Sequence, residues 1–251
     1  MESPKFTTLK SNLAPILFSF AIIVASIVLG HAFVNRNKVA GDISVTGLGE
    51  KNFTSDLIVW TGSFSKENTD LKQAYADLEN DKNKITEYLK QNGINVKEIV
   101  FSAVNTSNKT KRKYNPEGKI VGEDFDGYNL TQSIQISSKE VEKVEDISRK
   151  ITELLNKGIK FLSGPPRYYY TRLTELKIEL VSRATEDARL RAEKISEKSG
   201  GKIDKLISAQ MGIIQITGQN SNEDYSYGGT FNTSSKEKTA SITMKLTYRI
   251  K

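Results

Sequence analysis

The chain contains no cysteine. That excludes thiol catalysis, thioether attachment of haem and zinc–thiolate sites, and an exported form would be held by its core alone. It has one histidine, His31, which lies inside an apolar segment. No Ser-His-Asp triad, histidine metal cluster or imidazole general base can therefore exist in the rest of the chain. Any catalysis there would rest on carboxylates, lysines or tyrosines. Long apolar runs are also scarce. After residue 34 no second one occurs, and the roughly 210 residues that follow suit one large domain or two small ones with a proper core.

The one long apolar run is Leu13–Val34, LAPILFSFAIIVASIVLGHAFV, without a single Asp, Glu, Lys or Arg. As a helix it spans about 33 Å, the thickness of a bilayer's hydrocarbon core. Pro15 falls in the first turn, where its missing N–H costs least. Ser19 and Ser26 can bond back to helix carbonyls, and His31 sits near the distal interface. Two outcomes compete. An uncleaved anchor is one. The other is a signal peptide, with Lys5 and Lys10 as its charged start and Gly30-His31-Ala32 as the cleavage site. The run exceeds the usual signal core of about 7–15 residues, which favours the anchor. Lys5 and Lys10 place the N-terminus in the cytoplasm, although Arg36 and Lys38 weigh against that orientation. The expected organisation is a cytoplasmic tail over 1–12, a transmembrane anchor over 13–34, a juxtamembrane linker over 35–41 and an ectodomain over 42–251.

The formal charge is +7. Bases and acids are mixed along the chain except at Lys109-Thr110-Lys111-Arg112-Lys113, which reads as the tip of a long loop before Asn115-Pro116-Glu117-Gly118. Lys109, Lys111, Arg112 and Lys113 could meet an anionic envelope component such as lipid headgroups or polysaccharide, or could simply be a solvated hairpin tip. An exported chain has no nucleic-acid partner to expect.

Periodicity predicts the elements. Gly41 to Lys66 reads as two strands, the second alternating Leu57, Val59, Thr61, Ser63 against Ile58, Trp60, Gly62, Phe64. Gly47-Leu48-Gly49 lacks a following helix or a Gly-Lys-Ser/Thr, so neither a dinucleotide nor a phosphate loop is implied, and the glycines suit a bulge or turn. A helix over about 69–91 carries Leu71, Ala74, Tyr75, Leu78, Ile85 and Leu89 on one face. Strands are expected over 96–106 and 128–137. Ser137-Ser138-Lys139-Glu140 resembles a capping box opening a helix with Val141, Val144, Ile147, Ile151, Leu154 and Leu155 as its buried stripe. Ser163-Gly164-Pro165-Pro166 breaks the following strand and marks a sheet edge. The longest soluble helix, about 174–198, has Leu176, Leu180, Ala184, Ala188, Ala192 and Ile195 inward and an ion-paired outer face. A strand or strand pair over 203–217, a polar loop over 218–235 and a last strand over 238–250 complete an α+β chain. Its sheet should be mainly antiparallel, with helices packed on one face.

Tyr168, Tyr169, Tyr170 and Arg172 are the most conspicuous candidates for an interface. Consecutive tyrosines in a strand put rings on both faces of a sheet, as a subunit contact or a sugar-stacking platform would need, although ordinary core packing gives the same pattern. Glu50, Glu123, Asp124 and Asp126 lack the spacing of a calcium loop. No cofactor, metal ligand or catalytic residue is assigned.

Several stretches together resemble the SIMPL-domain family of exported bacterial proteins. They are Val45-Thr46-Gly47-Leu48-Gly49-Glu50, Gly127-Tyr128 and Pro166-Arg167-Tyr168-Tyr169-Tyr170-Thr171. Leu176-Lys177, then Ala184-Thr185 with Ala188-Arg189 and Arg191-Ala192-Glu193, then Gly201-Lys202 continue the pattern. Met211-Gly212-Ile213-Ile214-Gln215-Ile216-Thr217 and Thr233-Ser234-Ser235-Lys236-Glu237-Lys238 are similar to members sharing the triple tyrosine. The resemblance covers about 42–251. It implies an α+β fold, a periplasmic or envelope location, a tendency to form ring-like homo-oligomers, no enzymatic activity and a link to envelope or oxidative stress tolerance; taken with the anchor, the expected place is the bacterial inner membrane with the ectodomain in the periplasm. Two functions are expected to compete: a membrane-anchored interaction protein that self-assembles, and a carboxylate-based hydrolase or glycan-binding protein of the envelope.

Overall fold

A computed structural model describes residues 9–36 and 41–251. Lys5 and Lys38, with most of the expected tail and linker, lie outside the described residues. Helix α1 spans Leu9–Arg36. Its stretch Pro15–Val34, 20 residues long, is apolar enough to cross a membrane and none of it is buried. Ser19 donates its hydroxyl to the Pro15 carbonyl at 2.8 Å, so this polar group is satisfied within the helix.

After it come strands β1 (Asp42–Thr54) and β2 (Leu57–Asn68), helix α2 (Leu71–Gln91), and strands β3 (Ile99–Phe101), β4 (Asn105–Tyr114) and β5 (Ile120–Ser138). Helix α3 (Val141–Lys150) runs into a 3-10 turn, followed by β6 (Phe161–Ser163), β7 (Arg167–Tyr169), α4 (Leu173–Lys198), β8 (Ile203–Met211), β9 (Gln215–Gly218) and β10 (Glu237–Ile250). The chain is α+β, with antiparallel pairing within its sheets.

Two compact units share these elements. The larger takes Thr46–Ala188 and Gln210–Lys245. Its six-stranded sheet has the order β3-β5-β2-β6, with β4 paired to β5 and β7 to β2. Ile58, Trp60 and Phe64 of β2 and Leu130, Ile134 and Ile136 of β5 point to one face. There they meet Ala74, Leu78 and Ile85 of α2 and Val144 and Ile147 of α3, forming the main core. The opposite face carries Thr61, Ser63 and Ser133. Period-2 burial on the strands thus matches period-3.6 burial on the helices. Trp60, fully buried, donates its indole N–H to Ser163 Oγ and the Gly164 carbonyl, both at 3.1 Å. Asp70 caps α2 by accepting from the Gln73 amide at 2.8 Å.

In this same unit β1 packs on α4. Gly47 and Gly49 have ordinary extended dihedrals rather than the positive φ of a turn. They are needed because the α4 backbone at Leu180, Ala184 and Ala188 comes too close for a β-carbon. The smaller unit takes the chain up to Val45 together with Arg189–Ala209 and Leu246–Lys251. Its last strand is pinned by paired backbone bonds between Lys202 and Lys251 and by an ion pair of Lys251 with Asp204 at 2.8 Å.

Several local expectations are corrected. The basic run lies within β4, not at a loop tip; the turn is Asn115–Lys119, where Gly118 takes φ 78°. The capping box does not form, since Glu140 itself holds the cap position and its own amide donates to Ser138 Oγ. Leu155 is exposed because the helix tightens to 3-10 geometry at Ile151 and rotates it outward. In α4, Ser196 rather than Ile195 continues the buried stripe. Leu71 and Tyr75 of α2 face solvent.

Candidate functional site

Tyr168 and Tyr169 fall on β7, with Tyr170 directly after it; β7 is an edge segment that pairs with β2 through Leu57↔Tyr169, Ile58↔Tyr168 and Val59↔Arg167. Alternation sends Tyr168 into the core, where it is 8 % exposed. Tyr169 and Tyr170 are half-buried, and Arg172 is exposed. Tyr170 packs on Phe53 with ring centroids 4.7 Å apart, and the Arg172 guanidinium lies 5.4 Å from the Tyr170 ring. Asp56 accepts from the Thr171 amide at 2.7 Å and its hydroxyl at 2.8 Å, and pairs with Arg172 at 3.8 Å. Of the four expected interface residues, therefore, one is core and two are held by neighbours in the same chain.

What covers this edge is the chain's own polar loop. The Tyr168 amide donates to the Thr233 carbonyl at 2.7 Å. From β10, Lys238 is buried and donates to the Tyr168 carbonyl at 2.6 Å. Burial pushes the Lys238 amine down to about 8, opposed by the charge of Glu223. Close by, Lys236 pairs with Glu145 at 3.1 Å. Burial raises the Glu145 carboxyl, but hydrogen bonds from Lys236 and Arg149 outweigh it and hold the group below its usual range. Burial and the Glu145 charge push the Tyr168 phenol up.

The loop is fastened at several points. Gln215, buried, donates to the Ser226 carbonyl at 2.9 Å and accepts from the Thr230 amide at 2.7 Å. Glu223 accepts from the Gly218 amide at 2.9 Å and from the Asn232 side chain. The fastened loop and the neighbouring strands line an open pocket of about 240 Å³, with Leu48, Ile213, Tyr225 and Tyr227 among its walls and Ser241 and Thr243 on its sheet side. None of its lining side chains is a carboxylate, a lysine or an arginine. The Tyr225-Ser226-Tyr227 triplet was the available sequence signal for it, two closely spaced rings in a stretch whose only other large apolar side chain is Phe231.

The basic run forms a projecting ribbon with β5, and all ten residues of β4 are exposed. Its charges are largely met within the ribbon. Lys109 pairs with Glu67 at 2.6 Å and Asp126 at 3.4 Å, Arg112 with Glu123 at 3.9 Å, and Lys113 with Asp124 at 3.2 Å. Lys111 makes no ion pair among the described residues. The same contacts occupy Glu123, Asp124 and Asp126, the acids that a cation would have required. Tyr114, Ile120, Val121 and Phe125 are exposed on this ribbon.

The model of one protein family matches residues 43–249; it is SIMPL, described as a protein of unknown function (DUF541). No curated protein matches the chain.

Proposed function

The chain belongs to the SIMPL family, and on that premise we propose that it is a non-enzymatic interaction protein of the bacterial cell envelope, anchored in the inner membrane by a single pass and self-assembling through its periplasmic part. The observation that carries this reading is α1: the 20 residues Pro15–Val34 are strongly apolar on average, carry no charged side chain and are not buried against protein. A soluble fold would bury such a surface, whereas a bilayer accepts it. Support for the absence of chemistry is the residue inventory, which has no cysteine and keeps its only histidine inside the span.

Self-assembly draws support from two surfaces. Strand β8 ends one sheet, and Leu206, Ile207 and Met211 are exposed along it. The outer part of the β4–β5 ribbon, Thr110–Tyr114 with Ile120–Asp126, is exposed on both faces, and a two-stranded ribbon is marginal alone in water. Sheet edges of this kind are usually covered. Attachment to one membrane raises the effective concentration at which such surfaces meet.

Light scattering on the detergent-solubilised full chain tests the assembly, with a closed multiple of the single-chain mass as the expected result. A single-chain mass would remove self-assembly. N-terminal sequencing of the same material tests the anchor: an intact Leu13–Val34 is expected, and a mature chain beginning at Phe33 would replace the anchor with a cleaved signal.

A further inference from the structure

The pocket under the 218–235 loop goes unused in the reading above. Four of its properties bear on what it could hold. Its volume of about 240 Å³ exceeds the cavity of about 150 Å³ that accommodates benzene, so one substituted six-membered ring fits. Its loop wall is prepared in advance, because Gln215, Glu223 and Asn232 fix the backbone that carries Tyr225 and Tyr227. The absence of charged lining groups selects a neutral ligand. Polar groups nevertheless converge on it. Ser241 donates to the Tyr225 phenolic oxygen at 3.2 Å, which leaves the Tyr225 proton free to donate outward. The Thr243 and Tyr227 hydroxyls make no hydrogen bond among the described residues, and Tyr227 is fully exposed.

We propose that this pocket binds the ring of a neutral sugar. A pyranose has one face of C–H groups and a rim of hydroxyls. The C–H face suits the electron-rich faces of Tyr225 and Tyr227 and the side chains of Leu48 and Ile213. The hydroxyl rim suits Thr243 and the two phenols. A hydrocarbon of the same size would strip water from those hydroxyls and return no hydrogen bond, so the site discriminates against it. A charged sugar would meet no counter-charge.

The test uses the full chain in detergent and saturation-transfer NMR with two neutral probes, a glucose disaccharide and an N-acetylglucosamine disaccharide, beside cyclohexane-1,4-dimethanol as a poorer hydroxyl donor. At least one disaccharide should bind saturably at millimolar concentration and more tightly than the diol. Tyr227→Ala should weaken that binding about tenfold or more while leaving the urea midpoint unchanged, since Tyr227 is outside any packed contact. Tyr227→Phe should keep most of it, and Thr243→Val should weaken it. No saturable binding of either disaccharide, equal or better binding of the diol, or binding indifferent to Tyr227→Ala would each overturn the assignment. None of these readouts depends on the oligomeric state.

Discussion

Gly47 of β1 lies against Ala184 of α4 so closely that a β-carbon at position 47 would collide with the Ala184 carbonyl oxygen and reach 2.7 Å from the Ala188 β-carbon. A β-carbon at position 49 would repeat the collision one helical turn earlier, 2.9 Å from the Ala184 amide nitrogen and against the Leu180 carbonyl oxygen. The small-residue stripes of the strand and the helix are complementary: neither can gain a methyl group unless the other gives way.

Gly47→Ala and Ala188→Leu should therefore each destabilise the protein by about 1–3 kcal/mol through overpacking. Arg189→Leu, one residue further along α4, removes an exposed side chain paired with Glu193 at 2.9 Å, and its effect should stay within about 0.5 kcal/mol. Urea midpoints of the three variants make the comparison. Equal midpoints for Ala188→Leu and Arg189→Leu would mean that the helix presents a different face.

Tyr168 and Tyr170 should respond differently to replacement by serine. Tyr168→Ser opens a cavity in the core and should cost about 3–5 kcal/mol. Tyr170→Ser removes a half-buried ring from Phe53 and Arg172 and should cost clearly less. Thermal melts of both variants check this. A change in assembly caused by Tyr168→Ser would then have to be separated from unfolding, whereas Tyr170→Ser reports on the surface alone.

Trp60 is the chain's only tryptophan, and it is fully buried with its N–H bonded. Its fluorescence should be blue-shifted and poorly quenched by acrylamide in the native protein, shifting red in one step as urea unfolds the larger unit. Quenching like that of a free indole under native conditions would contradict its place in the core.

Lys238 should make stability rise with pH. Unfolded, its amine titrates near 10.5; buried against Tyr168 it titrates at about 8. Between these values the unfolded chain still holds a proton that the folded chain has released, so raising the pH through this window favours the fold. Glu223 opposes the shift by favouring the charged amine. At higher pH the Tyr88 and Tyr168 phenols, both pushed up by burial, work in the other direction. Urea midpoints at about pH 7 and about pH 9.5 should show a gain that is smaller in Lys238→Met. An equal gain in both proteins would assign the effect to other groups.

Much of the architecture can be read from residue order, because it depends on contacts near in sequence or on periodicity. The uncharged run Leu13–Val34 is helical, and a helix satisfies its backbone hydrogen bonds within the segment itself. Alternation at Leu57–Phe64 and the alanine spacing in α4 identify their buried faces without knowledge of what they touch. The alternation at Tyr168-Tyr169-Tyr170 likewise shows that the rings divide between two faces, but it cannot say which ring is core. That choice was made by the register of β7 on β2, a contact more than a hundred residues away, and by the loop carbonyl of Thr233 that accepts the Tyr168 amide. The glycines at 47 and 49 look like turn residues in the sequence; only the approach of α4 shows them to be spacers. The basic run looks like an open cationic patch, yet its register against β5 brings Glu123, Asp124 and Asp126 across from it. The pocket below Tyr225 and Tyr227 depends entirely on tertiary contacts, since Leu48, Ile213 and Thr243 come from three separate segments and share no pattern. Short-range periodicity thus determined the elements and their apolar faces, and long-range register decided which side chains were covered, neutralised or left to meet a ligand, because those outcomes depend on neighbours the local sequence does not contain.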